Sequence, residues 1–146
     1  MPVTIRPLNR QDADSWRRLW TGYLTFYETT VPEAVYASTW DRLLGESYYD
    51  PRGLIAEMDG APVGLVHYLF QRHGWRVEDV TYLQDLFVTP EVRGSGIGRA
   101  LIEAVYAAAD KAGCSTVYWM TEQDNEIGRR LYDRIATVTK FIKYQR

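Results

Sequence analysis

The sequence predicts a mixed α/β fold in which helices flank a central sheet, and three observations lead to this prediction. The chain of 146 residues is 46% hydrophobic and 25% charged, which suits a globular domain with a real core. Apolar residues recur at helical spacing in some segments and alternate in others. These segments follow one another in the order β-α-α-β-β-β-α-β-α-β. We therefore expect a single domain over residues 1–146.

Caps and turn residues set the bounds of each element. Proline ends a strand, asparagine or aspartate begins a helix, glycine ends one, and Asp-Gly is typical of a hairpin turn. By these rules the first part of the chain has a strand over 3–6, a helix from a cap at 9 or 12 to about 27, and a helix over 32–45. Three strands follow, over 54–58, over 62–71 and within 77–88. The rest has a helix ending at 113, a strand over 115–121, a helix over 125–135 and a strand over 138–144.

Composition argues against several classes of function. The net charge is −2, so no broad basic surface for nucleic acid is expected. No stretch approaches the ~18 apolar residues of a membrane span, and the first residues lack the apolar core of a signal peptide. The single cysteine, Cys114, excludes an internal disulfide and suits a reducing compartment. Two histidines and one cysteine at unrelated spacings predict no metal site. We expect a cytoplasmic protein that binds neither nucleic acid nor membrane.

The most informative segment is a loop with three glycines at alternate positions, which joins a strand to a helix. It consists of Arg93, Gly94, Ser95, Gly96, Ile97, Gly98 and Arg99. The first turn of a helix has N–H groups without intrahelical partners and a partial positive charge. Glycines let an anion approach these groups closely, and an arginine at each end of the loop adds positive charge. The loop therefore predicts a pyrophosphate site.

Two other phosphate-binding motifs fit this loop poorly. A P-loop ends in Gly-Lys-Ser or Gly-Lys-Thr, which is absent here. A dinucleotide fingerprint places its first glycine directly after the strand, whereas residues 89–93, with a break at Pro90, intervene in this chain.

Residues 93–98 resemble the Arg/Gln-x-x-Gly-x-Gly/Ala acyl-CoA signature of the GNAT superfamily of N-acetyltransferases, and the order of elements is similar as well. The strand over 82–88 is similar to that of the diamine (polyamine) acetyltransferases and of small histone/polyamine acetyltransferases. The resemblance implies a mostly antiparallel sheet, acetyl-CoA as cosubstrate and a primary amine as acceptor. It also implies that a homodimer is possible.

The resemblance assigns roles to residues outside the loop. Asn125 would assist CoA binding, and Tyr132, seven residues later, would face the thioester sulfur and act as general acid. The main chain of Leu86, Phe87 and Val88 would pair with the pantetheine arm, and an N–H near Leu86 would donate to the developing oxyanion. The alternative for Tyr132 is a ring that only packs beneath an amphipathic helix.

The residue that removes the proton of the amine is left open. Diamine acetyltransferases often carry glutamate at the position of Gln84, and glutamine cannot accept a proton. Glu28 and Asp85 are the candidates for base or amine anchor, with a water chain as the alternative. The period of two in a strand directs Asp85 to the face opposite Gln84 unless a bulge intervenes. His67, in an apolar strand, is expected to be a hydrogen-bonded core residue rather than a catalytic one.

The acceptor side is expected at the aromatic end of the first helix. Tyr23, Phe26 and Tyr27 can bind an alkylammonium stem by cation–π contact, although packing in the core is the alternative. Together with Glu28 and Gln84, the two tyrosines form the predicted substrate-binding set. A small cationic amine or polyamine is favoured as acceptor. Acetylation of protein lysines, as in histone-type enzymes, and a non-catalytic acyl-CoA-binding module are the alternatives.

Overall fold

Four helices and five strands account for most of the chain in the computed structural model, which describes residues 2–146. The elements are β1 (Val3–Pro7), α1 (Ala13–Phe26), α2 (Glu33–Leu44), β2 (Arg52–Met58), β3 (Ala61–Gln71), β4 (Val80–Val88), α3 (Ile97–Lys111), β5 (Val117–Tyr118) and α4 (Glu126–Ile135). Short 3-10 turns, Arg10–Asp12 and Pro90–Val92, precede α1 and α3.

The five strands form one sheet in sequence order, β1-β2-β3-β4-β5. The first four pair antiparallel, and β5 runs parallel to β4 because α3 carries the chain back across the sheet between them. The predicted mixed, mostly antiparallel sheet with flanking helices is therefore confirmed.

Each face of the sheet is covered by its own helices and has its own apolar core. On one face α1 and α2 cover a core that contains Trp16, Leu19, Trp20, Leu24, Leu65 and Phe87. On the other face α3 covers a larger core that contains Leu54, Val66, Tyr68, Leu83, Ile97, Leu101 and Val105, and α4 packs at its margin. The predicted apolar stripe of α1 is thus a buried face, in which the rings of Trp16 and Trp20 stack 5.3 Å apart.

Helix ends agree with the caps that the sequence predicts. Asn9 accepts a hydrogen bond from the N–H of Gln11 in the turn that leads into α1. Pro32 stands at the N-cap and Gly45 at the C-cap of α2. Local sequence therefore determines where these helices begin and end.

The predicted last strand, residues 138–144, does not form. Residues 136–146 contain neither helix nor strand, and the exposed fractions of Phe141 and Tyr144 are 79% and 90%. The neighbouring β5 is also shorter than the predicted 115–121, since only Val117 and Tyr118 pair with β4. Alternating apolar residues predicted a strand here, but a strand also needs a partner edge for its backbone groups, and β5 is too short to supply one.

No helix among residues 2–146 combines the length and the apolar character that crossing a membrane requires.

Candidate active site

Strands β4 and β5 separate after two residue pairs and leave an open edge in the sheet. Thr81 pairs with Val117 and Tyr82 with Tyr118, after which β5 ends while β4 continues to Val88. Six residues of β4, positions 83–88, therefore have a strand beside them only on the β3 side.

The backbone of Leu86 faces this open edge. The N–H of Thr89 donates to the carbonyl of Val63, at 2.8 Å, so the polar groups of Thr89 and, by alternation, of Phe87 turn toward β3. Those of Val88 and Leu86 turn the other way, and the carbonyl of Val88 accepts a hydrogen bond from Nε of Arg93 at 2.8 Å. The N–H and C=O of Leu86 are thus placed to pair with an extended ligand.

A β-bulge in β4 lies next to this edge. Tyr68 on β3 pairs with Leu83, and the preceding residue, His67, pairs with Asp85, so Gln84 is the extra residue of the bulge. The bulge interrupts the alternation that directs neighbouring side chains to opposite faces. Gln84 consequently lines a cleft, while Asp85 lies behind Tyr23 of the same cleft, close enough to raise the pKa of its phenol beyond the effect of burial.

The cleft lies where α1, β4 and α4 meet, and it has about 330 Å³ of space, part of it open to solvent. Its lining residues are Tyr23, Tyr27, Leu83, Gln84, Leu86, Ile102, Trp119, Met120 and Tyr132. The structure thus brings together five residues that the sequence predicted for the site, namely Tyr23, Tyr27, Gln84, Leu86 and Tyr132. They come from three elements that are distant in the chain.

Tyr132 is well suited to donate a proton in this cleft. Burial raises the pKa of its phenol above the ordinary value, and the neighbouring Tyr27 raises it further. The ring is fixed against Trp119 in an edge-to-face arrangement, with 5.4 Å between the ring centroids. The phenol is therefore protonated at neutral pH, the form in which it could donate a proton.

Asp85 is a buried carboxylate behind the tyrosines of α1. Its exposed fraction is 8%, and its Oδ2 lies 2.8 Å from Nδ1 of His67. Burial raises the pKa of Tyr23, and the negative charge of Asp85 and a hydrogen bond to its carboxylate raise it further. The charge of Asp85 also contributes to the raised pKa values of Tyr27 and Tyr82.

His67 is buried and hydrogen-bonded, as expected from its apolar strand. Sequence reasoning missed its partner, because Asp85 is 18 positions away and faces it only through the bulge. The other ring nitrogen, Nε2, accepts a hydrogen bond from the indole N–H of Trp16 at 2.9 Å.

The glycine loop leaves the start of α3 uncapped and open. Gly94 and Gly96 have φ values of 83° and 85°, which glycine adopts without strain. The first intrahelical bond runs from Ala100 to Gly96, so the N–H groups of residues 97–99 have no intrahelical acceptor, and no side chain caps the helix. A Cβ atom at either of the two glycines would meet no atom within 4 Å. An anion can therefore approach these N–H groups.

The polar side chains of the loop are held by local contacts. The guanidinium of Arg93 lies over the rings of Phe26 and Phe87, 5.6 and 5.4 Å from their centroids. Nε of Arg99 lies 2.6 Å from Oε1 of Glu103, one turn along α3. The hydroxyl of Ser95 donates to the carbonyl of Val92. Arg93 is thus oriented between the loop and the end of α1, beside the open edge of β4.

Asn125 has a structural role at the start of α4, where the sequence predicts a helix to begin. Its Oδ1 accepts from the N–H of Gly128 at 3.3 Å and so caps α4, the helix that carries Tyr132. Its Nδ2 donates to Oγ1 of Thr121 at 2.9 Å. The expected contact of Asn125 with a cofactor stays a prediction.

Glu28 lies outside the cleft. It follows α1 with φ of 56° and is exposed on a shallow groove shared with Thr25, Thr29 and Thr30. The structure therefore does not bring Glu28 together with Tyr132, and its role as base stays a prediction. Among residues 2–146 no cluster of three or more His, Cys, Asp or Glu side chains could hold a metal ion.

Comparisons with known proteins identify relatives of the whole chain. The model of the acetyltransferase (GNAT) family matches residues 14–136, which include the loop, the open edge and the cleft. The D-amino-acid N-acetyltransferase HPA3 of Saccharomyces cerevisiae is 34% identical over 145 residues, which cover 99% of this chain and 90% of the relative. The thialysine N-epsilon-acetyltransferase of Bos taurus is 39% identical over 91 residues, 57% of this chain and 53% of the relative.

A solved structure has the same fold. The aminoglycoside acetyltransferase AAC(6')-Iy, in complex with a bisubstrate analog that contains CoA, superposes with a TM-score of 0.86. The match covers 100% of this chain and 98% of the other, at 21% identity.

Proposed function

Because this chain belongs to the acetyltransferase (GNAT) family and is an N-acetyltransferase that uses acetyl-CoA, we propose a specific class of acceptor for it, the primary amine of a small cationic molecule such as a polyamine. The observation that carries this proposal is the sign of the charges that act on the cleft. Burial raises the pKa of both phenols most, the charge of Asp85 raises that of Tyr23 further, and the charges of Glu122 and Asp85 raise that of Tyr27 further. Both charges are negative.

A cleft of this character attracts ammonium groups and disfavours carboxylates. None of the residues that line it is a lysine, arginine or histidine. The faces of Tyr23 and Tyr27, whose ring centroids lie 5.0 Å apart, add cation–π attraction for an alkylammonium. A second ammonium on the acceptor would be attracted to the same acids, whereas a carboxylate would find no cation among the lining residues.

The residues of the loop and of β4 fit acetyl-CoA. The uncapped start of α3 would hold the diphosphate with its free N–H groups, and Arg93 would add positive charge. The open edge at Leu86 would pair with the pantetheine arm, and the N–H of Leu86 would donate to the thioester oxygen. When bound, acetyl-CoA supplies the activated acetyl group. The chain's own residues position it, exclude water and move protons.

The amine must lose a proton before it can attack, because free alkylamines have a pKa near 10. We assign this step to Asp85, acting through Tyr23. The hydroxyl of Tyr23 takes the proton from the amine and passes its own proton to the carboxylate of Asp85. Tyr23 thus stays neutral, in keeping with the raised pKa of its phenol. After the attack the nitrogen loses its second proton to solvent as the amide forms. Tyr132 gives its phenolic proton to the departing sulfur and is reprotonated from solvent, and Asp85 returns its proton to solvent.

The test compares acceptors that differ only in the charge at the far end. 1,4-Diaminobutane and 4-aminobutanoate have the same reacting amine and chain length, but one ends in an ammonium and the other in a carboxylate. We expect the diamine to show a kcat/KM at least about tenfold higher in an assay of released CoA thiol. Equal values, or a preference for the amino acid, would overturn the proposed acceptor class.

D-Amino acids are a second candidate class of acceptor. One observation favours them, the 34% identity with a relative named as a D-amino-acid N-acetyltransferase. Turnover of D-amino acids exceeding that of every diamine in the same assay would support this second candidate. Tight binding of CoA without turnover of any amine would instead support a non-catalytic acyl-CoA-binding module.

A further inference from the structure

Asp85 can take a proton through Tyr23 only if its carboxylate is held in one orientation, and residues outside the cleft hold it. Oδ2 of Asp85 lies 2.8 Å from Nδ1 of His67, and Nε2 of His67 lies 2.9 Å from the indole nitrogen of Trp16. The exposed fractions of Trp16, His67 and Asp85 are 2%, 2% and 8%. The two hydrogen bonds therefore form a chain that is largely shielded from solvent.

The hydrogen bond with Trp16 determines which nitrogen of His67 carries the proton. An indole N–H only donates, so Nε2 of His67 must be the acceptor in its bond with Trp16. In a neutral imidazole the proton then resides on Nδ1, which faces Asp85. His67 consequently donates to Asp85, and Oδ2 is an acceptor in this bond.

We propose that His67, in the tautomer that Trp16 imposes, is a positioning residue for acetyl transfer, because it holds Oδ2 of Asp85 and directs the rest of that carboxylate to the hydroxyl of Tyr23. The inference rests on the proposed function. No bond to His67 changes during the reaction. The proton of the amine moves to the oxygen of Tyr23, the proton of Tyr23 moves to Asp85, and His67 keeps its own.

The groups around Asp85 and His67 show why His67 is the residue that holds the carboxylate of Asp85. In the part of the chain that the structure describes, the titratable groups near Asp85 include none besides His67 that donates through nitrogen: Tyr23 in α1, Tyr27 just after α1 and Tyr82 on its own strand are phenols, whose pKa values are raised mostly by burial and further by the charge of Asp85. His67 packs against the rings of Trp16 and Trp20, at 6.2 and 5.9 Å between centroids. It is the nitrogen donor that the structure places on Asp85.

The test separates positioning from packing with two variants of His67. His67→Leu keeps apolar volume but removes the donor, whereas the amide nitrogen of His67→Asn can still donate to Asp85. We expect kcat to fall about 30-fold in His67→Leu with the KM for acetyl-CoA unchanged, and to lie within about threefold of wild type in His67→Asn. The same two substitutions at His73, a half-buried loop residue that does not line the cleft, are the matched controls and should leave kcat unchanged.

A double-mutant cycle then asks whether His67 acts through Asp85. In an Asp85→Asn background, His67→Leu should lower kcat by less than about twofold, since the carboxylate that it positions is gone. A fall in that background as large as in the wild type, or equal loss in both His67 variants, would overturn the inference while leaving the proposed function intact.

Nitrogen NMR gives a readout that needs neither activity nor variants of the site. The chain contains two histidines, so the imidazole signals of His67 and His73 can be told apart with one His73→Asn sample. We expect the Nδ1-H tautomer for His67 at pH 7.5, and the Nε2-H tautomer would overturn the inference even if both His67 variants fold poorly. A wild-type chain with the Nδ1-H tautomer that acetylates no amine would instead overturn the proposed function, and the catalytic part of the inference with it.

Discussion

His67 and Asp85 face each other across β3 and β4 with one unpaired residue, Gln84, beside them in the bulge. Bulges bend a strand and increase its local twist. This one lies just beyond the last pair between β4 and β5, Tyr82 with Tyr118. The bulge at Gln84 therefore accounts for two features of the site. It places Asp85 behind the cleft, and it lies where β4 and β5 separate.

Deleting Gln84 tests this relationship. The pairs on either side, Tyr68 with Leu83 and His67 with Asp85, would become continuous, so we expect a folded chain that retains the His67–Asp85 contact. Without the bulge the strand straightens, and the backbone of Leu86 moves by an ångström or more. We expect kcat to fall at least about 100-fold. Gln84→Ala keeps the bulge and is the control, and a deletion variant with the kcat of that control would contradict the prediction.

The glycine loop was predictable from the sequence and the bulge was not, for a physical reason. The positive φ values at Gly94 and Gly96 favour glycine, so the loop can be recognised in the sequence by its glycines. The bulge at Gln84 needs no special residue, and nothing in the segment Tyr-Leu-Gln-Asp-Leu marks it. Burial of His67 followed from its apolar strand, but its contact with Asp85 depends on the pairing of two strands, which a local pattern does not determine.

The predicted last strand, which does not form, also shows that a local pattern does not determine strand pairing. Residues 138–144 have the alternation of a strand, yet strand formation depends on a free edge of sufficient length, and β5 supplies two residues. Asn125 shows that a motif residue can have a structural role besides the one its motif predicts. Its spacing from Tyr132 suggested a cofactor contact, while its position before α4 makes it a helix cap as well.

Gly96→Ala should weaken the binding of CoA beyond its effect on stability. The left-handed φ of 85° costs an alanine about 1–2 kcal/mol, and the new methyl group lies beside the free N–H groups of α3. Gly60, in the turn between β2 and β3, has φ of 78° and equally open surroundings. Gly60→Ala should therefore lose similar stability in urea denaturation but bind CoA normally by calorimetry. We expect Gly96→Ala to lose at least about tenfold in affinity, and equal affinities in the two variants would count against the site.

Two substitutions of Asn125 separate its cap from any contact with the cofactor. Asn125→Asp retains an oxygen that accepts from the N–H of Gly128, so its stability should stay within about 0.5 kcal/mol of wild type. Asn125→Ala removes the cap and should cost about 1 kcal/mol. If the amide contacts CoA, both variants lose affinity for it. If Asn125→Asp binds CoA as the wild type does, Asn125 is a cap alone.

Tyr23 makes the stability of the fold dependent on pH in the alkaline range. Its pKa in the folded chain is raised, mainly by burial, above the value near 10 of an unfolded tyrosine. The folded chain therefore keeps a proton that the unfolded chain loses, and this stabilising contribution is present below pH 10 and decreases as the pH rises further. In urea denaturation between pH 8 and 11, Tyr23→Phe should show a shallower loss of stability, by up to about 1.4 kcal/mol per pH unit. Tyr144→Phe, at an exposed side chain, is the control, and equal slopes in the two variants would contradict the prediction.

Tyr132→Phe should remove the proton donor while keeping the ring against Trp119. We expect kcat to fall about 100-fold or more and the affinity for CoA to stay within about twofold, since general acids contribute factors of that size. Burial raises the pKa of this phenol, so it stays protonated beyond pH 10 and kcat of the wild type should show no alkaline fall from Tyr132 below that pH.

The control for Tyr132→Phe is Tyr106→Phe, which removes a hydrogen bond to the carbonyl of Ile135 near the end of α4 and should cost about 1 kcal/mol of stability with kcat unchanged. Wild-type kcat in Tyr132→Phe would show that the proton on the leaving sulfur comes from another source.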